Sequence, residues 1–137
     1  TPTNPGTEII QIQAEDFSQQ QGTQTENTSD TGGGKNVGWI DAGDWLSYAG
    51  TPVNIPTTGD YVIEYRVASQ NGGGSLAFEE AGGAPVHGTI TIPATGGWQT
   101  WMTIKHTVTL SAGSHKFGIK ANGGGWNLNW IRISKAN

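Results

Sequence analysis

The chain has 137 residues, a formal net charge of −4, charged residues at only 13%, no cysteine, six tryptophans and 22 glycines. That length holds one domain with a core of its own, and the aromatic content and small net charge exclude a disordered chain. No basic stripe exists to neutralise phosphate, which argues against a nucleic-acid partner, and no apolar run reaches the roughly 20 residues of a membrane span.

Thr1–Thr7 (TPTNPGT) reads as the end of a Pro/Thr linker, which leaves 8–137 as the folded module. The opening at Thr1 without a leader pattern is read as the start of a processed or excised segment. From Glu8 the chain alternates, with Ile10, Ile12 and Ala14 on one face and Gln11, Gln13 and Glu15 on the other. A half-buried strand produces that pattern. Residues 16–37 lack periodicity and are expected to form a long loop.

Tyr61 to Ser69 is the clearest strand, with Tyr61, Ile63, Tyr65 and Val67 inward and Glu64 and Arg66 outward. Further strands are expected around Leu76 and Phe78, at Thr89–Ile92, from Trp101 to Leu110, at Phe117–Ala121 and from Trp126 to Ser134. In the last of these the apolar phase slips between Leu128/Trp130 and Ile131/Ile133, the mark of a bulge or of burial on both faces. Eight or nine short strands, turn signals between them and no helical period imply an all-β, two-sheet sandwich of jelly-roll type.

Three clusters set a tryptophan beside glycines in a turn: Gly32–Trp39, Gly96–Trp101 and Gly123–Trp130. One such tryptophan is easily explained as a plug for the core, but three imply at least one exposed aromatic platform. An indole face beside short polar groups suits a sugar ring, which has an apolar C–H face and a rim of hydroxyls. Asn127 and Asn129, two apart on the last strand, offer amide donors and acceptors for vicinal hydroxyls. Gln13 and Glu15 share a face and could supply oxygens to a calcium shell, although from spacing alone a solvated strand face is the default.

Catalytic signatures are missing. Glu79 and Glu80 are adjacent and point to opposite faces of a strand, while His87, His106 and His115 lie on different elements. His106 falls on an inward phase and reads as a core histidine. No GxSxG elbow or HExxH pair occurs, and GGGK at Gly32–Lys35 departs from a phosphate loop at both ends.

Over about Ile9 to Ser134 the chain resembles the family 6 carbohydrate-binding modules. The matching elements are IQAEDF at 12–17, GGGKNVGWIDAGDWLSY at 32–48, GDYVIEYRVAS at 59–69, GGWQTW at 96–101, LSAGSHKF at 110–117 and NLNWI at 127–131. The resemblance implies a non-catalytic, monomeric β-sandwich covalently attached to a secreted, extracellular polysaccharide hydrolase. It further implies that Trp39 and Trp98 form the walls of a loop-edge cleft, Asn127 hydrogen-bonds the sugar and Glu26 accepts a hydroxyl at the rim. A structural calcium would take Gln13, Glu15, a Lys35 backbone carbonyl and Asn129, where relatives often carry Asp. Some members use a second cleft on the concave sheet face. The wording of residues 26–48 is nearest to modules attached to β-agarases, so agarose chain ends are the expected ligand, with xylan or β-glucan as the alternative. A small glycoside hydrolase and a purely structural sandwich are the competing readings.

Overall fold

The computed structural model describes residues 5–30 and 33–136. Thr1–Asn4 of the expected linker and Gly32 of the glycine run lie outside them. The strands in chain order are β1 (Pro5–Gln13), β2 (Gln19–Gln21), β3 (Gln24–Asn27), β4 (Lys35–Gly38), β5 (Trp45–Ser47), β6 (Val53–Ile55), β7 (Gly59–Ala68), β8 (Gly74–Glu80), β9 (Val86–Ile92), β10 (Met102–Leu110), β11 (Gly113–His115), β12 (Phe117–Gly123) and β13 (Asn127–Ala136). A single 3-10 turn, Ala14–Asp16, is the one helical element among the described residues.

These strands form two main antiparallel sheets. One runs β10-β7-β13-β4-β3 with β1 also paired to β13, and the other runs β2-β5-β12-β8-β9. A two-stranded clip, β11-β6, stands beside them. The start of β13 pairs with β4 at Leu128–Val37, and the rest pairs with β1 through Trp130–Gln13, Ile131–Ile12 and Ile133–Ile10. The sequence is therefore an all-β sandwich of jelly-roll type, as its periodicity implied.

The core lies between the sheets. Ile12, Tyr61, Ile63, Tyr65, Val67, Leu128 and Ile131 from one side meet Leu46, Leu76, Phe78, Phe117 and Ile119 from the other, all buried. Each large side chain buried in this way contributes about 1.5–3 kcal/mol. The phase slip in the last strand is a real bulge. Leu128 faces Val67 and Trp130 faces Arg66, so Asn129 is the extra residue. The outer face of β7 is also covered, which its alternation did not reveal. Glu64 is buried beneath Arg132, whose Nε donates to Glu64 Oε1 at 2.9 Å.

One expectation is corrected. Residues 16–37 are not a single loop, because they contain β2, β3 and the start of β4, with β3 antiparallel to β4 and β2 to β5. β2 and β3 are outer strands of their sheets and almost wholly polar (QQQ and QTEN), so backbone pairing rather than an apolar stripe holds them. They leave no period in the sequence.

His106 packs against the core as its phase implied. Its Nδ1 donates to the Thr89 carbonyl at 3.3 Å, which leaves Nε2 to accept from the Tyr65 hydroxyl at 2.8 Å. Burial lowers the His106 pKa from its ordinary value of 6.5, although the Thr89 bond opposes this. As pH falls through 6.5 the unfolded chain takes up this proton before the folded one, so stability present above that pH is lost below it. Unfolding free energy from urea titrations should therefore fall more steeply with acidification in the parent protein than in His106→Gln.

Candidate functional site

Three loops and strand β3 meet at one edge of the sandwich and enclose a cleft of about 410 Å³. Its lining comprises Glu26 from β3, Trp39, Ile40 and Asp41 after β4, Trp98 from the β9–β10 loop, and Gly125, Trp126 and Asn127 at the start of β13. Trp39 is 54% exposed and Trp98 is 45% exposed, whereas Trp126 at 1% is sealed beneath them with its indole N–H on the Gly123 carbonyl. The three glycine-rich clusters thus divide into two open platforms and one plug.

Trp39 is held outward by its backbone. Its φ of 53° places it in the left-handed region, alone among the described non-glycine residues. That conformation costs roughly 1–2 kcal/mol and is typically retained where a side chain must be aimed. It lets Ile40 enter the core while the preceding indole faces solvent. Behind it, Gly124 lies so close that a Cβ would come within 2.6 Å of Asp41 Cα and the Ile40 carbonyl. Only glycine permits that approach of the two loops.

Beneath the tryptophans runs a polar network that fixes the loops to one another. Glu26 Oε2 accepts from Asn36 Nδ2 at 3.1 Å, Gln99 Nε2 at 3.0 Å and Asn127 Nδ2 at 3.5 Å. Asn127 Nδ2 also donates to the Trp98 carbonyl at 2.7 Å, which ties the Trp98 loop to β13. Gln99 Nε2 donates to Asn36 Oδ1 at 3.1 Å, and Gln99 Oε1 receives the Ser29 backbone N–H at 2.8 Å. Thr95 anchors the other end of that loop, its backbone N–H donating to the Ser69 carbonyl at 2.8 Å. Glu26 and Asn127 are therefore cleft residues and scaffold residues together. Asn36 and Gln99, to which the sequence reading gave no role, stand inside the matching stretches at 32–48 and 96–101 but carry no periodic signal.

The carboxylates around the glycine run take different roles. Glu26 and Asp41 line the cleft. Asp30 instead holds Arg66 in a two-pronged pair, at 2.9 Å to Nε and 3.0 Å to Nη2, and also accepts from Asn129 Nδ2 at 2.8 Å. Asp44 caps its own turn by accepting the Asp41 N–H at 2.8 Å.

The residues expected to hold a cation lie elsewhere, where β1 and the Ala14–Asp16 turn meet β13 and β4. Gln13 is exposed and stands opposite Trp130, next to the Asn129 bulge. Glu15 Oε1 is buried without a hydrogen-bond partner, the one such side-chain atom among the described residues. Burial raises the Glu15 pKa, opposed by the Glu15 and Lys35 backbone N–H groups and by the Lys35 charge. Because Asn129 commits its nitrogen to Asp30, its oxygen is the atom left for a cation. An unpaired buried carboxylate oxygen fits a hard divalent ion, which takes oxygen ligands.

A second groove, of about 390 Å³, lies on the outer face of the β2-β5-β12-β8-β9 sheet. Trp45, Glu79, Lys120, Gln19 and the Gly82–Gly83 turn line it. Glu79 is nearly buried there, and burial raises its pKa against the lowering effect of Lys120.

Comparison with known proteins agrees with this architecture. The family model "Carbohydrate binding module (family 6)" matches residues 13–135. A solved carbohydrate-binding module from the Cellvibrio mixtus lichenase 5A, in complex with cellotriose, is 82% identical with a TM-score of 0.95, covering 96% of this chain and 100% of that one. The clotting factor G alpha subunit of Tachypleus tridentatus is 45% identical over 124 residues, 90% of this chain and 18% of that protein. The β-agarase AgaA of Microbulbifer thermotolerans is 32% identical over 108 residues, 74% of this chain and 24% of the enzyme. The chain thus spans less than a quarter of the length of these two relatives. With its sandwich, its loop-edge cleft and a family match over nearly the whole sequence, the chain belongs to the family 6 carbohydrate-binding modules.

Proposed function

We propose that this module holds a secreted, extracellular polysaccharide hydrolase on β-glucan, as a monomer covalently linked to the catalytic domain, and that Trp39 and Trp98 grip the glucan in the loop-edge cleft. The observation that carries the reading is the pair of exposed indoles lining one cleft over the Glu26–Asn127 network. Each indole offers an apolar face for a pyranose ring, while the Asn127 amide and the Glu26 carboxylate meet its hydroxyls. The 82% identical module with cellotriose supports glucose units as the ligand. Agarose chain ends, suggested by the wording of residues 26–48, rest on the weaker 32% similarity to an agarase and stand second, with xylan.

Two stacked rings at about 0.5–1.5 kcal/mol each beyond area burial, with hydrogen bonds of about 1 kcal/mol, give micromolar to millimolar affinity. That is sufficient for a tethered module, because attachment multiplies weak binding through effective concentration. The Trp45–Glu79–Lys120 groove favours a second reading in which the module carries a further glucan-contacting face.

Calorimetry with cello-, laminari-, xylo- and neoagaro-oligosaccharides tests the proposal. Cellotriose should bind, and Trp98→Ala should weaken or remove the cleft's share of that binding by about tenfold or more. Trp39→Gly should do the same while stability stays within about 1 kcal/mol, because glycine relieves the left-handed φ and returns chain entropy. One cellotriose per chain places binding in the cleft alone, and two bring in the groove, with the second lost in Trp45→Ala. Isotherms unchanged by both cleft variants would refute the cleft reading, and tight neoagaro-oligosaccharide binding without glucan binding would restore agarose.

A structural calcium belongs to the same proposal, held by Gln13, Glu15, the Lys35 backbone carbonyl and Asn129. Bound there it would supply charge to the orphaned Glu15 oxygen and pin β1 to the start of β4. Calcium should raise the thermal midpoint of the parent protein in proportion to the logarithm of its concentration, and chelation should reverse the gain. Glu15→Gln should be insensitive to both treatments.

A further inference from the structure

His87 and His115 stand on different strands with no common spacing, yet the fold brings both to one carboxylate. Glu80 ends β8, His87 lies on β9 across the hairpin, and His115 ends β11. His87 Nε2 is 2.6 Å from Glu80 Oε2, and His115 Nδ1 is 3.0 Å from the same oxygen. A nitrogen from each ring and a carboxylate oxygen all lie within 4.8 Å of one another, the one such group of His, Cys, Asp and Glu among the described residues. The two imidazoles are 11% exposed and Glu80 is 22% exposed, so the cluster is half-enclosed with one open side.

The outer nitrogen of His115 decides what the inner one can do. Its Nε2 is 2.7 Å from the Ser111 carbonyl, an acceptor only, so Nε2 carries the hydrogen. In a neutral ring Nδ1 is then a bare lone pair directed at a carboxylate oxygen. A second proton, on the ring or on Glu80, makes that approach favourable, and so does a cation taken up by both atoms once they part to the roughly 3.3 Å that separates tetrahedral zinc ligands. A ring N–H held on a backbone carbonyl, which leaves the opposite nitrogen free to bind, is the usual support of a metal-bound histidine. The rings are also fixed in place. His115 stacks on Phe117 at 5.2 Å with 3° between planes, and His87 meets Phe117 edge-on at 5.9 Å.

We propose that Glu80, His87 and His115 form a zinc site, separate from the sugar cleft and from the oxygen-rich calcium position. Two imidazoles and one carboxylate suit Zn²⁺ and leave a fourth, solvent-facing position for water, whereas calcium calls for six to eight oxygens. The ion would join the β8–β9 hairpin to β11. That hairpin's turn, Ala81 to Gly83, also lines the Trp45 groove, so zinc would brace one rim of it.

The test is calorimetric titration of the whole chain with zinc chloride at neutral pH in saturating calcium, paired with ring ¹⁵N spectra of the histidines. The expected result is one zinc per chain, with large shifts of His87 Nε2 and His115 Nδ1 and none at His106. His87→Gln and Glu80→Gln, their folding checked by circular dichroism, should each weaken binding by about tenfold or more. No saturable zinc binding would overturn the proposal, leaving a hydrogen-bonded His–Glu–His contact. Binding that survives both variants, or that shifts only His106, would overturn it as well. The ring spectra of the parent protein decide the matter even if a variant fails to fold.

Discussion

The Glu26 carboxylate is the constraint on which the cleft depends. It accepts hydrogen bonds from Asn36 on β4, Gln99 beside Trp98, and Asn127 at the head of β13. A half-buried charge is stable only when hydrogen-bonded, and this one is satisfied by residues up to 101 positions away. Satisfying it brings the β3–β4 pair, the Trp98 loop and the last strand into one cluster. The indoles thus stand on a rigid base, so little ordering cost falls on ligand binding.

The sheets supply the second half of that rigidity. The bulge at Asn129 lets Leu128 and Ile131 both face the core while Asn127 turns to the cleft and Asn129 to Asp30. The Asp30–Arg66 pair then ties the loop after β3 to the last part of β7. The loops that carry the tryptophans are therefore anchored to the central strands of one sheet. The second sheet carries a groove of its own around Trp45, apart from the loop-edge cleft.

How much could be read from the sequence followed physical lines. Strands β7, β10 and β13 are long and half apolar, so period-two alternation exposed them, and the phase slip even located the bulge. Trp39 and Trp98 could be singled out because tryptophan beside glycine in a turn is poorly explained by packing. β2 and β3 could not be seen, since outer strands made of Gln, Thr, Glu and Asn are held by backbone bonds with no apolar stripe. Asn36 and Gln99 were hidden for a related reason: a hydrogen-bond network between distant loops has no period. The convergence of His87 and His115 on Glu80 depends on how three strands pack, and no spacing in one strand encodes it.

The central claim is that Trp39 and Trp98 jointly contact the sugar while the buried Trp126 serves the core. The most direct measurement follows the six tryptophan indole N–H resonances in a two-dimensional NMR titration with cellotriose. The account predicts large, saturable shifts of Trp39 and Trp98 with a common dissociation constant, and a much smaller response from Trp126. Saturable binding that leaves both Trp39 and Trp98 unmoved would contradict it.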